Sequence, residues 1–337
     1  MKKLLAVLAV LALVAGCTSK PNEETPKGDS KPVVGVTIYK FDDNFMSIVR
    51  QNMQKYEGDL GVKLNLVDSG NDQGKQNEQV DTMIADGVNV LAINLVDPQA
   101  AQTIVDKAKA AKLAVVFYNK EPNADVLAGY DQAYYVGTNS AESGTIQGAI
   151  IKKEWEANKA AWDKNGDGKV QYVLLKGEIG HPDAEARTSE AQKALKEIGA
   201  EELALESATW DGTKANEIMT TWLASNPNIE MVIANNDGMA LGAIAALSAN
   251  GYFDGTKFMP VFGVDAIPEA LDAIESGKMV GTVLNDAANQ AKATLDLAKN
   301  LAAGKSAVEG TSWTLDGVKA VRVAYVGVDK NNYKDFR

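Results

Sequence analysis

The sequence predicts an α/β protein made of two similar doubly wound, parallel-sheet lobes. Three observations carry that expectation. At 337 residues the chain exceeds what one hydrophobic core usually serves. Short β-branched or apolar runs alternate with longer segments of helical period, which is the rhythm of βαβ units around a parallel sheet. That rhythm then runs a second time.

In the first pass, Val33–Tyr39 reads as a buried strand, Asn44–Leu60 as a helix and Lys63–Val67 as a strand. Lys75–Ala85 is helical and Val88–Leu95 extended. Pro98 opens a helix to Ala111, where its missing N–H costs nothing, and Ala114–Tyr118 is the next strand. The second pass starts with strand Tyr134–Gly137 and helix Ala141–Ala160. It continues through strand Val170–Leu175, helix Asp183–Ile198, strand Leu203–Ser207, helix Thr213–Ala224, strand Met231–Ala234, helix Met239–Asn250 and strand Val261–Val264. An internal echo supports two equivalent lobes. Ala92-Ile93-Asn94-Leu95-Val96-Asp97 and Ile233-Ala234-Asn235-Asn236-Asp237 both end a strand in Asn and open a helix through Asp.

Ahead of the first strand stand Lys2 and Lys3, an apolar run from Leu4 to Ala15, then Gly16 and Cys17, the order of an export signal spanning residues 1–16. The run falls short of the roughly 20 apolar residues that cross a bilayer. Val14-Ala15-Gly16-Cys17 resembles the bacterial lipobox, which makes Cys17, the only cysteine, the expected lipidation site. Residues 17–32 are rich in Lys, Glu, Pro, Ser and Gly and read as a flexible tether, so contact with a membrane is expected through the lipid anchor only. A net charge of −11 with no basic cluster argues against nucleic-acid partners.

Open parallel sheets bind ligands beyond the carboxyl ends of their strands. The residues there are Asp43, Asn44, Phe45, Asn94, Lys176, His181, Asp183, Arg187, Trp210, Asn236, Asp237, Asp265, Asn285 and Asp286. Carboxylates, amides and aromatics dominate, with no Gly-rich phosphate loop, nucleophile elbow or His/Cys metal spacing. Such a set suits a hexose: Asp accepts from its hydroxyls, Arg donates, Asn does both, and Phe45 and Trp210 can cover its two C–H faces.

At these residues the chain resembles the periplasmic D-galactose/D-glucose-binding proteins. The resemblance runs from about Val33 to Asp329 through Gly35-Val36-Thr37-Ile38-Tyr39-Lys40-Phe41-Asp42-Asp43-Asn44-Phe45, Gly180-His181-Pro182-Asp183-Ala184-Glu185-Ala186-Arg187, Phe262-Gly263-Val264-Asp265 and Gly281-Thr282-Val283-Leu284-Asn285-Asp286. It implies the type I periplasmic-binding-protein fold, with sugar hydrogen-bonded by Asp43, Asn94, His181, Asp183, Arg187, Asn236, Asp265 and Asn285 and stacked between Phe45 and Trp210. It also implies a hinge of three crossings near Tyr118, Leu284 and Arg322. The first lobe would then comprise 33–118 plus 285–321, the second 119–284 plus 322–337, and helix Gln290–Ala302 would return to the first. A monomer that passes D-galactose or D-glucose to an ABC transporter permease, and in some relatives signals to a chemoreceptor, is the implied role.

Asp163-Lys164-Asn165-Gly166-Asp167-Gly168-Lys169-Val170-Gln171 matches the first nine positions of an EF-hand calcium loop, but position 12 is Leu174. A further carboxylate must therefore come from elsewhere. The resemblance places it at Glu230, giving Asp163, Asn165, Asp167, the Lys169 carbonyl, Gln171 and Glu230 as ligands of a structural Ca2+.

Three other functions compete. Asp43 and Asp265 could form a glycosidase pair, but the abundance of Asn and the paired aromatics suit ground-state binding, so no enzyme is expected. A sugar-responsive repressor would carry a helix-turn-helix where this chain has its signal and tether. A pentose receptor would differ only in cleft details.

Overall fold

The computed structural model describes residues 31–226 and 228–337. The signal at 1–16, Cys17 and nearly all of the tether lie outside the described residues. No helix among the described residues is long and apolar enough to cross a membrane.

The first sheet is built from β1 (Val33–Ile38), β2 (Lys63–Asp68), β3 (Val90–Ile93), β4 (Ala114–Tyr118), β5 (Ala133–Gly137) and β11 (Ala320–Arg322). Their spatial order is β11-β5-β4-β3-β1-β2, and every pairing is parallel. The second sheet holds β6 (Gln171–Lys176), β7 (Glu201–Ser207), β8 (Met231–Ala234), β9 (Val261–Phe262), β10 (Gly281–Leu284) and β12 (Val326–Asp329), in the order β12-β10-β9-β8-β6-β7. The two orders match position by position, except that β12 runs antiparallel to β10.

The inner strands β3, β4 and β8 are continuous apolar runs because helices cover both faces, whereas the edge strands β2 and β7 carry polar residues. In β4, Ala114, Val116 and Tyr118 face one core while Val115 and Phe117 face the other, as the period of two requires. The first of those cores packs against α1 (Asn44–Leu60) and α10 (Ala287–Ala302), the second against α2 (Gln73–Ala85), α3 (Ala101–Ala110) and the short α4 (Ala124–Ala128). In the second lobe, Val173 and Leu175 meet α7 (Gly212–Ser225), α8 (Asp237–Ala249) and α9 (Pro268–Glu275). Tyr172 and Leu174 face α5 (Ser140–Trp162) and α6 (Pro182–Glu197).

The lobe boundary expected at Tyr118 is corrected. β5 pairs with β4, Phe117 opposite Tyr135, and with β11, so it closes the first sheet instead of opening the second. The chain crosses after Gly137 into α5, after Leu284 into α10 and after Arg322 into β12. A strand-helix rhythm shows that β5 exists but not which sheet accepts it; the long helix after it, α5, is what belongs to the second lobe.

Candidate functional site

In each sheet the strand order reverses direction at one strand: β1 lies between β2 and β3, and β6 between β7 and β8. Crevices open beyond the carboxyl ends at such switch points. Here the two crevices face each other, and the loops after β1 and β6 deliver Asp43 and His181 to one shared cavity.

The cavity is small. Its walls include Asp43, Phe45, His181, Asp183, Arg187, Trp210, Asn236, Asp265 and Asn285, nine of the ten sugar-binding residues expected from the sequence. Tyr39, Met46 and Asn119 complete it.

Several of these side chains arrive at helix starts. Asp43 caps α1, accepting from Met46 N at 2.7 Å with one oxygen and from Tyr39 Oη at 2.6 Å with the other. Asn236 caps α8 by accepting from Met239 N. The cap of α6 is His181: Nδ1 accepts from Asp183 N at 3.1 Å. That bond puts the imidazole proton on Nε2, and burial pushes His181 down to about 3, so the ring is neutral at physiological pH.

Arg187 is buried and makes four hydrogen bonds within the protein, which leaves one of its five N–H donors for a ligand. Nε donates to Ser143 Oγ, one terminal nitrogen donates to Asn235 O at 2.8 Å, and the other to Tyr325 Oη at 3.2 Å. Asp183 lies 3.5 Å and Asp265 3.6 Å from the guanidinium. Burial opposes its charge, but Tyr325, Asp183 and Asp265 outweigh that and hold it above its ordinary pKa. Burial pushes Asp265 well above the usual carboxylate range, only partly offset by Arg187. Asn285 Nδ2 donates to Asp265 Oδ1 at 3.2 Å.

Trp210 stands on two successive left-handed residues, Thr209 at φ 51° and Trp210 at φ 66°. Its ring meets His181 edge to face at 5.2 Å. The slot it fills exists because residue 177 is glycine; a Cβ there would overlap the indole.

Asn94 is corrected. It is not among the described residues that line the cavity. Its Oδ1 accepts from Tyr39 N, and its Nδ2 donates to Tyr118 O and Asn119 Oδ1, so the amide ties strand ends together beneath the wall. Asn119 takes the place facing the cavity. It follows β4 directly, so the strand-end rule that found the others also points to it.

The 163–171 loop folds around Asp163, whose carboxylate accepts from the backbone N–H groups of Gly166, Asp167 and Gly168. Gly166 and Gly168 supply the positive φ this turn needs. The Asn165 amide lies 3.2 Å from both Asp167 Oδ2 and Gln171 Oε1. Glu230, nearly fully buried, reaches the loop from before β8 and accepts from Lys164 N and Gln171 N. Among the described residues no trio of His, Cys, Asp and Glu side chains is close enough to share an ion. An ion here would depend on amide and carbonyl oxygens as much as on carboxylates, which is a donor set that fits Ca2+.

Residues 34–306 match the model of the periplasmic binding protein domain. The chain is 53% identical over 308 residues to the D-galactose/methyl-galactoside binding periplasmic protein MglB of Haemophilus influenzae, covering 90% of this chain and 91% of that one. It is 27% identical to the ribose import binding protein RbsB of Salmonella typhimurium, over 84% and 86% of the two chains. Among solved structures it resembles an ABC transporter solute binding protein from Bacillus halodurans with bound myo-inositol. That likeness has a TM-score of 0.76 and 29% identity, and it covers 92% of this chain and 98% of the other. The resemblance read in the sequence is thus borne out, and the chain belongs to the periplasmic binding protein family, as a binding protein and not an enzyme.

Proposed function

We propose that this exported protein binds D-galactose or D-glucose by closing its lobes around one hexose, and hands it to an ABC-type sugar permease. The observation that carries the reading is the single cavity in which carboxylates, amides, a guanidinium and a neutral imidazole from both lobes meet two aromatic rings. Asp43 and Asp265 accept from ring hydroxyls. Arg187, the Asn119, Asn236 and Asn285 amides and His181 Nε2–H donate. Phe45 and Trp210 cover the C–H faces. A missing or inverted hydroxyl leaves one of these buried groups unpaired, which makes the site discriminate sharply.

Sugar contacts both half-sites only when the lobes are together, so it shifts the population toward the closed form, which is the form a permease would read. A chemoreceptor is proposed as a second reader of that form, on the family resemblance alone. Tryptophan fluorescence titrated with a panel of hexoses and pentoses tests the assignment, since Trp210 lies in the cavity wall. Micromolar or tighter response to galactose or glucose supports it, and a preference for ribose sinks it.

Two further assignments belong to this reading. Asp163, Asn165, Asp167, the Lys169 carbonyl, Gln171 and Glu230 would hold a structural Ca2+ that ties the α5–β6 loop to the start of β8. Cys17 would carry the lipid that holds the protein at the membrane; mass spectrometry of the mature N-terminus checks it.

A further inference from the structure

Asp265 owes its place in the cavity to an unusual corner. Asp265 and Ala266 both have positive φ, 123° and 54°, although neither is glycine. Backbone of this kind persists only where the surroundings over-determine it, and three successive N–H groups show what does so. Asp265 N donates to Val283 O at 2.7 Å, Ala266 N to Thr282 Oγ1 at 3.3 Å, and Ile267 N to Asp237 Oδ2 at 3.0 Å. Thr282 Oγ1 in turn donates to Asp237 Oδ1 at 2.6 Å. Two of the corner's three N–H groups therefore end on one carboxylate, directly or through one hydroxyl.

We propose that Asp237 is the positioning residue for Asp265: it fixes the 265–267 corner so that the Asp265 carboxylate faces the bound sugar, without touching the sugar itself. This rests on the hexose reading above.

Asp237 is fully buried and is not among the described residues lining the cavity. It has no Lys or Arg within ion-pair distance among the described residues, so hydrogen bonds from Thr282 and the backbone meet most of its charge, with Arg187 adding attraction from farther away. Space is kept for it: a Cβ on Gly263 would overlap Asp237 Oδ1. The carboxylate is also the group the task needs. It must accept from a hydroxyl and from an N–H with separate oxygens, and an asparagine has only one acceptor. Its own N–H donates to Val264 O at 2.7 Å, which ties the start of α8 to the residue before the corner.

The test is a double-mutant cycle on glucose affinity, with melting temperature followed for every variant. Asp237→Asn and Thr282→Val are each expected to weaken binding about tenfold, as loss of a buried hydrogen bond to a charged group does. Thr282→Ser should keep parental affinity. In an Asp265→Asn background, Asp237→Asn should cost less than about twofold more, because the group it positions has already been blunted. Equal losses in both backgrounds, or full affinity in Asp237→Asn, would overturn the proposal. If Asp237→Asn does not fold, Thr282→Val carries the same cycle. A parent that bound no hexose would sink the sugar reading only. The corner would then be judged by amide exchange at Ala266 and Ile267, which Thr282→Val must speed about tenfold or more if the proposal holds.

Discussion

Lys120 of the first lobe and Glu178 of the second meet across the cleft, Nζ to Oε2 at 3.2 Å. Lys120 is buried, donates also to Val96 O, and sits 4.1 Å from the centroid of the Tyr39 ring, which is part of the cavity wall. Burial lowers its pKa, with Glu178 opposing. Because the pair exists only while the lobes are together, Glu178→Gln should speed sugar release about fivefold, roughly 1 kcal/mol, with the association rate changed less than twofold. Stopped-flow displacement measures both, and an unchanged release rate would deny the pair any part in closure.

Trp210 and Gly177 make a linked prediction. Trp210→Ala should weaken hexose binding by about 2 kcal/mol or more, some thirtyfold, through loss of a stacked face. Gly177→Ala touches no sugar, yet its Cβ must displace the indole, so it should lower affinity and shift the emission of Trp210. Parental affinity in Gly177→Ala would mean that the ring has no fixed role.

His181 gives a pH dependence. Folded, it is held down to about 3 by burial; unfolded, it titrates near 6.5. Between those values the unfolded chain binds more protons than the folded one, so stability falls as pH falls through that window. Other buried groups titrate too, so the comparison is with His181→Gln. From pH 7.5 to pH 5 the parent should lose about 2 kcal/mol relative to that variant. Parallel denaturation profiles for the two proteins would show that the ring is not buried neutral.

Calcium predicts a chelator effect. With ion at about a hundred times its dissociation constant, binding adds about 2.7 kcal/mol, so chelation should lower the melting temperature by several degrees. Asp163→Ala should abolish that difference and leave the ranking of sugars intact. Equal melting curves with and without chelator would remove the ion from the account.

Tyr325 joins the site to the hinge. Its hydroxyl accepts from Arg187 and lies 2.8 Å from Thr138 Oγ1, just past the first crossing. Tyr325→Phe should cost about tenfold in affinity, and a smaller change in radius of gyration on adding sugar should accompany it. Full affinity with full compaction would confine Tyr325 to packing.

Most of the cavity was legible because one rule, polar residues after the carboxyl ends of strands, holds in both lobes. It missed where local chemistry resembled a site without being one. Asn94 ends a strand beside a helix start, as Asn236 does, but its amide is consumed by Tyr39, Tyr118 and Asn119, and only folding shows which amide is spent on backbone. Tyr39 reads as the end of a buried strand, and its ring carries no sequence mark of facing a ligand. Sheet membership of β5 was hidden because a strand-helix rhythm does not mark where the chain crosses between sheets: its partners are β4, just before it, and β11, far along the chain. The positioning role of Asp237 depends on Thr282 and Ile267, which no local pattern connects to it.

The pairing of β11 with β5 also bears on how the molecule comes into being. Residues 320–322 complete the edge of a sheet begun at Val33, and α10 covers a core that α1 cannot close alone. Contacts so distant along the chain form late and slowly. The emerging polypeptide cannot finish its amino-terminal half before nearly all of it has been made. Until then the first sheet lacks an edge strand, and one of its faces lacks the cover of α10.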